Sequence, residues 1–97
     1  MPGLPRRSSR VSLSAEVRLR RSQDVPYSVQ LRDLSLHGCS IELVNRVQVG
    51  ERLWIKLPSI ESIECFVRWE KECTAGVDFV APLHPAVFAT LKQRLEP

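Results

Sequence analysis

The sequence predicts a mainly β protein: a six-stranded antiparallel β-barrel with a C-terminal α-helix and a flexible N-terminal arm. Three observations lead to this prediction. Apolar and polar residues alternate in six short segments, polar links rich in turn residues separate those segments, and the hydrophobic period becomes helical near the C-terminus. An open sheet of six strands would expose two edges, and closure into a barrel removes them. With 97 residues, the chain suits one small domain.

Period-two alternation defines the predicted strands, at residues 11–20, 27–32, 39–43, 52–57, 62–70 and 75–80. In the first strand, every second residue from Val11 to Leu19 is apolar, which is typical of a half-buried strand. In the fifth strand, the same alternation places Trp69 on the face of Cys65 and Val67. After the strands, Pro85 suits the first turn of a helix, and apolar residues then recur at helical spacing, at Val87, Phe88, Leu91 and Leu95.

Cysteine and histidine content limits the kinds of site. The chain has three cysteines without a C-x-x-C pair and two histidines far apart in sequence, so we expect neither a disulfide framework nor a metal site. Small, mostly buried thiols are the simpler interpretation. The sequence has no apolar run long enough to span a membrane and no secretory signal, so we expect a cytoplasmic protein without membrane insertion.

Positive charge is concentrated in the first third of the chain. Residues 1–32 carry seven arginines against two acidic residues, whereas the remainder has seven basic and nine acidic residues. Arginine predominates over lysine, and its guanidinium group binds phosphate or a guanine edge in a bidentate manner. This favours recognition of a shaped anion. Because an Arg-rich tail is also a common solubilising feature, the charge alone leaves both interpretations open.

Between the second and third predicted strands, the segment "DLSLHG" sets Asp33, Ser35 and Gly38 at fixed offsets. In an extended segment, Asp33 and Ser35 point to the face opposite Leu34 and Leu36. A carboxylate accepts from N–H groups, a hydroxyl can donate to a phosphate oxygen, and a glycine allows either a positive φ or the close approach of a ligand. Asp and Ser are also favoured at turns, where they satisfy backbone amides. The segment therefore predicts either a polar binding corner or a capped turn.

A second motif favours the binding corner. Arg6 and Arg10 form R-x-x-x-R immediately before the first strand. Along the chain follow two strands, D-x-S-x-x-G, further strands, "VRWE" with Trp69, "GVDF" at 76–79 and a terminal helix. This order resembles the PilZ domain family, whose members bind the bacterial second messenger cyclic di-GMP. The resemblance covers nearly the whole chain, from Arg6 to about Leu95.

The resemblance implies two parts of one domain. Residues 1–10 form a flexible arm that carries R-x-x-x-R, and residues 11–97 form the PilZ-like barrel with its helix. It also implies cyclic di-GMP as the ligand, with no cofactor. The ligand-binding residues that it implies are Arg6, Arg7, Arg10, Asp33, Ser35, Gly38 and Trp69.

The motifs of the family assign a role to each of these residues by position. In the family, the arginines of R-x-x-x-R clamp the phosphates and the guanine edges, which gives this role to Arg6 and Arg10. The Asp and Ser of D-x-S-x-x-G hold the other side of the ligand, which implies Asp33 and Ser35, with Gly38 as the turn residue. The chemistry agrees, because arginine pairs with guanine O6 and N7 and a carboxylate can accept from the N1 and N2 hydrogens. An arm that closes over the nucleotide would change the exposed face of the domain, and we expect this change to be the signal.

Two assignments have alternatives. Arg7 either reaches a phosphate or is solvated. Trp69 either faces a base, as aromatic residues at this place in PilZ proteins often do, or joins the core with Cys65 and Val67, as the alternation favours.

The sequence gives weaker support to other functions. Asp33, Ser35 and His37 would project side by side, about 6–7 Å apart at alternate positions, which does not form a proton relay, so we expect no enzyme. A small basic barrel could bind single-stranded nucleic acid by stacking bases on aromatic rings. Only six residues are aromatic, however, and Phe79 and Phe88 look internal. We therefore expect no nucleic-acid partner. The stronger alternative is a PilZ-like adaptor that binds a protein and no nucleotide, although intact motifs argue against it. In either case we expect a downstream protein partner.

Overall fold

The computed structural model describes residues 11–95, except residues 23, 44 and 59. It contains six strands and one helix: β1 (Val11–Arg21), β2 (Tyr27–Leu34), β3 (Gly38–Glu42), β4 (Arg52–Lys56), β5 (Ile63–Lys71), β6 (Thr74–Phe79) and α1 (Pro85–Leu95). The predicted fold, a mainly β six-stranded antiparallel barrel with a C-terminal helix, is confirmed. Residues 1–10, for which the sequence predicts a flexible arm, lie outside the described residues.

The strands close into a barrel in the order β1-β2-β3-β6-β5-β4, and each neighbouring pair is antiparallel. Spatial order departs from chain order at β6, which lies between β3 and β5. The barrel closes where β4 pairs with β1. As a result, β2, β3, β6 and β5 form one continuous face although their residues are far apart in sequence.

The apolar residues that alternate along the strands fill the barrel interior. Leu19, Leu31 and Ile55 are fully buried, and so is Cys65. Burial raises the pKa of the Cys65 thiol to about 12, so this side chain acts as a small neutral core residue near neutral pH. Cys39 is buried as well, whereas Cys73 is exposed, so the expectation of mostly buried thiols is confirmed for two of the three.

Helix α1 begins and packs as the sequence predicts. The His84 Nδ1 atom accepts a hydrogen bond of 3.0 Å from the backbone N–H of Ala86 and so caps the first turn. Leu91 is buried, and other apolar residues of the helix pack partly against the core: Val87, Phe88 and Leu95. The helix contacts β1. Within the described part of the chain, no helix has the length and apolar character needed to span a membrane.

Three register shifts interrupt the pairing of the strands. One lies in β1 against β2, one in β2 between Leu31 and Asp33, and one in β5 between Val67 and Trp69. A bulge adds one residue to a strand, so that two successive side chains share a face. The shifts in β2 and β5 therefore turn outward a residue that strict alternation would direct into the core.

Candidate functional site

Four residues from four strands form a row across the outer surface of the barrel. Asp33 of β2 is opposite Ser40 of β3, Ser40 is opposite Gly76 of β6, and Gly76 is opposite Trp69 of β5. Neighbouring strands lie about 4.8 Å apart, so the row extends about 14 Å from the first strand to the last. A carboxylate thus stands at one end and an indole at the other.

The bulge in β2 determines the orientation of Asp33. Leu31 and Leu34 are both fully buried although three positions separate them, and the exposed Arg32 and the half-buried Asp33 lie between them. Strict alternation after Leu31 would have placed Asp33 in the core and Leu34 outside. Because of the bulge, the carboxylate faces outward, opposite to Leu34, as the sequence predicts.

The bulge in β5 determines the orientation of Trp69. Val67 is opposite Val77 and Trp69 is opposite Gly76, so Arg68 is the additional residue of the bulge. Trp69 is 38% exposed, whereas Val67 is 2% exposed. The prediction that Trp69 shares a face with Cys65 and Val67 is therefore wrong. Alternation ends at the bulge, and a bulge has no signature in this sequence.

Small residues form the floor between the carboxylate and the indole. A Cβ atom on Gly76 would overlap the Nε1 and Cε2 atoms of Trp69, so the indole lies directly over this glycine. Ser40, the other residue between them, has a short side chain and is 3% exposed. The resulting groove has a volume of about 460 Å³ and is lined by the residues Arg32, Asp33, Ser40, Trp69, Lys71, Glu72 and Thr74. This volume lies within the range of roughly 300–1,000 Å³ that small-molecule sites have.

Ser35 serves the turn that follows β2. Its Oγ accepts hydrogen bonds from the backbone N–H groups of His37 and Gly38, each at 3.2 Å, and its O–H donates to the Gly38 carbonyl at 3.2 Å. The Ser35 N–H also donates to the Gly38 carbonyl, at 2.8 Å. The capped turn, one of the two interpretations of the segment, is thus present. A contact between Ser35 and a ligand stays a prediction.

Gly38 is required for close packing. Among the described glycines, only Gly50 has a positive φ, so positive φ, one of the two roles considered for Gly38, is absent there. Gly38 is opposite Asp78 of β6, and a Cβ atom on it would overlap the carbonyl oxygen of Val77. The glycine allows β3 to approach the β6 backbone closely beside the site.

The remaining predicted site residues lie outside the described part of the chain. These are Arg6, Arg7 and Arg10. The description begins at Val11, which is opposite Leu34, and Ser12 is opposite Asp33. The R-x-x-x-R motif thus ends one residue before a strand that borders Asp33.

Sequence reasoning missed five residues that line the groove: Arg32, Ser40, Lys71, Glu72 and Thr74. Arg32 points outward by ordinary alternation, since it follows the buried Leu31, and it pairs with Glu42 at 3.3 Å. The others depend on the pairing of β6 with β3 and β5. The hairpin between β5 and β6, which has positive φ at Glu72 and Cys73, brings its residues to the groove. The sequence predicts the two strands that flank this hairpin, from their alternation, but not that the hairpin lines the groove.

Three comparisons relate this architecture to known proteins. A family model, the PilZ domain, matches residues 5–96. A search of curated protein sequences finds no match. Among solved structures, the chain is similar to the Bacillus subtilis inhibitor of motility (MotI/DgrA), with 19% identity and a TM-score of 0.66, over 94% of this chain and 49% of that one. It thus spans about half the length of that protein.

A second solved structure is similar over most of this chain. The PilZ domain of CeSA from a cellulose synthesizing bacterium has 11% identity to this chain and a TM-score of 0.64, over 89% of this chain and 94% of that one. At these identities, the two structures show that the fold is shared.

Proposed function

The chain belongs to the PilZ domain family, and on this premise we propose that it is a receptor for cyclic di-GMP that acts through a protein partner. PilZ domains are regulatory binders and not enzymes. The ligand would lie in the groove between Asp33 and Trp69. A receptor for an intracellular second messenger would act in the cytoplasm, which is the location we propose.

The row across the four strands is the observation that carries this proposal. It presents a carboxylate and a partly exposed indole, with Ser40 and Gly76 between them. The N1 and N2 hydrogens of guanine can donate to the carboxylate of Asp33. A planar purine can stack on the ring of Trp69, which is exposed on the same face. Both chemical features of a guanine base thus have a counterpart in the groove.

The arm would supply the positive charge that the two phosphates need. Arg6 and Arg10 are assigned this role by their motif, and Arg7 could reach a phosphate as well. Because β1 borders Asp33, an arm that precedes Val11 has a short path to the groove. The hydrogen bonds of Ser35 within the turn support a positioning role for this residue beside Asp33.

The proposal is tested by calorimetric titration with cyclic di-GMP. We expect saturable binding that Asp33→Ala weakens about a hundredfold, because a hydrogen bond to a charged group is lost. Arg10→Ala should weaken it to a similar degree. Arg52→Ala is the matched control, since Arg52 lies on β4 outside the groove and pairs with Glu64; it should bind as the unchanged chain does.

Two results would contradict the proposal. If no nucleotide binds while circular dichroism shows an intact fold, the chain is a PilZ-like adaptor that binds a protein alone. If binding falls steeply with salt and shows no preference for the cyclic dinucleotide over an oligonucleotide, the groove is a general nucleic-acid surface.

A further inference from the structure

A second polar surface lies on the two strands that the groove does not use. Arg18 and Arg20 of β1 are opposite Lys56 and Trp54 of β4, and we refer to these four residues as the basic aromatic face. Their side chains point outward, because the residues that alternate with them are buried in the core: Val17, Leu19, Leu53 and Ile55.

The cations of this face have no carboxylate partner among the described residues. The other arginines of the strands and their links each pair with a carboxylate, as Arg21–Glu51, Arg32–Glu42, Arg46–Glu70, Arg52–Glu64 and Arg68–Asp78. Within the described residues, Arg18, Arg20 and Lys56 form no ion pair. Among the described arginines of the strands and their links, pairing with a carboxylate is thus the rule, and Arg18 and Arg20 depart from it.

Uncharged groups, an indole ring and backbone carbonyls, contact the three cations and hold them in place. The Arg20 guanidinium carbon lies 4.2 Å from the centroid of the Trp54 ring, a distance typical of a cation–π interaction. Arg18 donates to the carbonyl of Pro26 at 3.2 Å. Lys56 donates to the carbonyls of Leu57 and Ile60. These contacts orient the side chains but leave their positive charge available to a partner.

The shape of the face favours a macromolecule over a small ligand. Its depression, which Pro26 and Ser62 also line, has a volume of about 200 Å³. Sites for small molecules are larger, at roughly 300–1,000 Å³. Arginine and tryptophan are also among the residues enriched at the energetic hot spots of protein interfaces.

We propose that the basic aromatic face docks an acidic segment of a partner protein in an extended conformation. Arg18 and Arg20 are two residues apart on one strand, so their Cα atoms lie about 6.7 Å apart. Carboxylates at alternate positions of an extended segment have the same spacing, and each can accept two hydrogen bonds from a guanidinium group. This inference names the chemistry of the partner that the proposed function requires, but it does not depend on nucleotide binding.

A nucleic acid fits this face less well. Single strands bind by stacking bases on aromatic rings, and Arg20 already covers one face of the Trp54 ring. Three cations on two adjacent strands also form a short track, whereas backbone-directed binding engages many phosphates. Charge complementarity therefore favours carboxylates over a polynucleotide.

The two tryptophans of the chain make a direct test possible, since one lies on each surface. Their indole N–H signals in a ¹⁵N-labelled sample would be assigned with Trp54→Phe and Trp69→Phe. The probe is a short peptide that alternates glutamate and serine. We expect this peptide to shift the Trp54 signal in a saturable manner and to leave the Trp69 signal unchanged. Cyclic di-GMP should do the reverse, so failure of one proposal is seen separately from failure of the other.

Matched variants test the role of Arg20. Arg20→Glu should weaken peptide binding about tenfold or more, because an attractive charge becomes repulsive. Arg52→Ala should have no effect, since Arg52 also lies over an aromatic ring, Phe66, but is paired with Glu64. A peptide of the same composition with consecutive glutamates should bind more weakly, because alternate carboxylates then point away from the face.

Three outcomes would overturn the inference. In the first, the peptide shifts the backbone amide signals near all arginines equally. The interaction is then general electrostatic attraction. Another is equal binding by Arg20→Glu. The third is an oligothymidylate that binds at Trp54 more tightly than the peptide, in which case the face recognises nucleic acid.

Discussion

The two outer surfaces of this barrel are built in different ways. The groove crosses β2, β3, β6 and β5, where two register shifts occur and small residues separate Asp33 from Trp69. The basic aromatic face crosses β1 and β4, which pair over four consecutive residues without a shift. Regular alternation places long side chains side by side and produces a charged surface. Bulges and a glycine instead create a concave surface, in which Ser40 and Gly76 lie between Asp33 and Trp69.

The largest effect is expected where backbones meet beside the groove. Gly38→Ala should lower the free energy of unfolding by about 3 kcal/mol, because its Cβ would overlap the Val77 carbonyl oxygen and a strand must move. Urea unfolding measures this change. Gly50→Ala is the control: nothing lies within 4 Å of its added Cβ, and its φ is 89°, so it should lose only about 1 kcal/mol of unfolding free energy. Equal losses for the two variants would show that packing against β6 is not what Gly38 provides.

The second largest effect is expected from a substitution at Gly76, on the floor of the groove. Gly76→Ala should displace the Trp69 indole, because the new methyl group would occupy its place, and should weaken cyclic di-GMP binding about tenfold. The loss of stability should be smaller than for Gly38→Ala, since a side chain can rotate and a backbone cannot. Nucleotide titration and the Trp69 indole signal measure both consequences. Arg20→Ala, on the other surface, should leave nucleotide binding unchanged; an unmoved Trp69 signal in Gly76→Ala would contradict the geometry.

An ion pair at the end of β1, next to the basic aromatic face, gives a smaller, pH-dependent effect. Arg21 of β1 binds Glu51 through two contacts, at 2.5 and 3.0 Å. Burial raises the pKa of Glu51, but hydrogen bonds from Arg21 and the Gln48 N–H, with the charge of Arg21, outweigh it, and the net pKa is lowered below 4.5. Glu51→Gln should lower the free energy of unfolding by about 1 kcal/mol near neutral pH.

The sign of the pH dependence follows from that lowered pKa. Glu51 contributes its full stabilisation above its unfolded pKa of 4.5 and loses it as the pH falls through the lower value of the folded state. The difference between the unchanged chain and Glu51→Gln should therefore shrink below pH 4.5. Urea unfolding across that range measures the difference, and a gap that stays constant would exclude this ion pair as its source.

The smallest effect is expected at the paired arginine of β4. Arg52 forms an ion pair with Glu64 at 2.9 Å, in which the Arg52 side chain is 55% exposed and the Glu64 side chain 37% exposed. Arg52→Ala should lower the free energy of unfolding by about 0.5 kcal/mol. This change would confirm that Arg52 is a suitable control for both surfaces. A loss above about 2 kcal/mol would mean that exposed pairs on this barrel contribute more than such pairs usually do.

Much of the groove could be predicted, and the reason for each success or failure is physical. The sequence predicts correctly that Asp33 lies on the face opposite Leu34, because adjacent residues of a strand point to opposite sides. The prediction that Trp69 shares the face of Val67 is wrong, because a single additional residue, Arg68, reverses the face. The sequence predicts neither Ser40 nor Gly76 as a site residue, although Gly76 belongs to the "GVDF" motif, since neither side chain has chemistry that marks a site. Their importance comes from lying between Asp33 and Trp69.

The sequence by itself determined the six strands, the helix, the polar turn and the family, because periodicity, turn chemistry and motif order depend on residues close together in the chain. Only the tertiary structure decided which strands are neighbours, where the bulges lie and which arginines are neutralised. Those properties depend on contacts between residues far apart in sequence, whose register is set by packing of the whole core. The groove and the basic aromatic face both arise at that level.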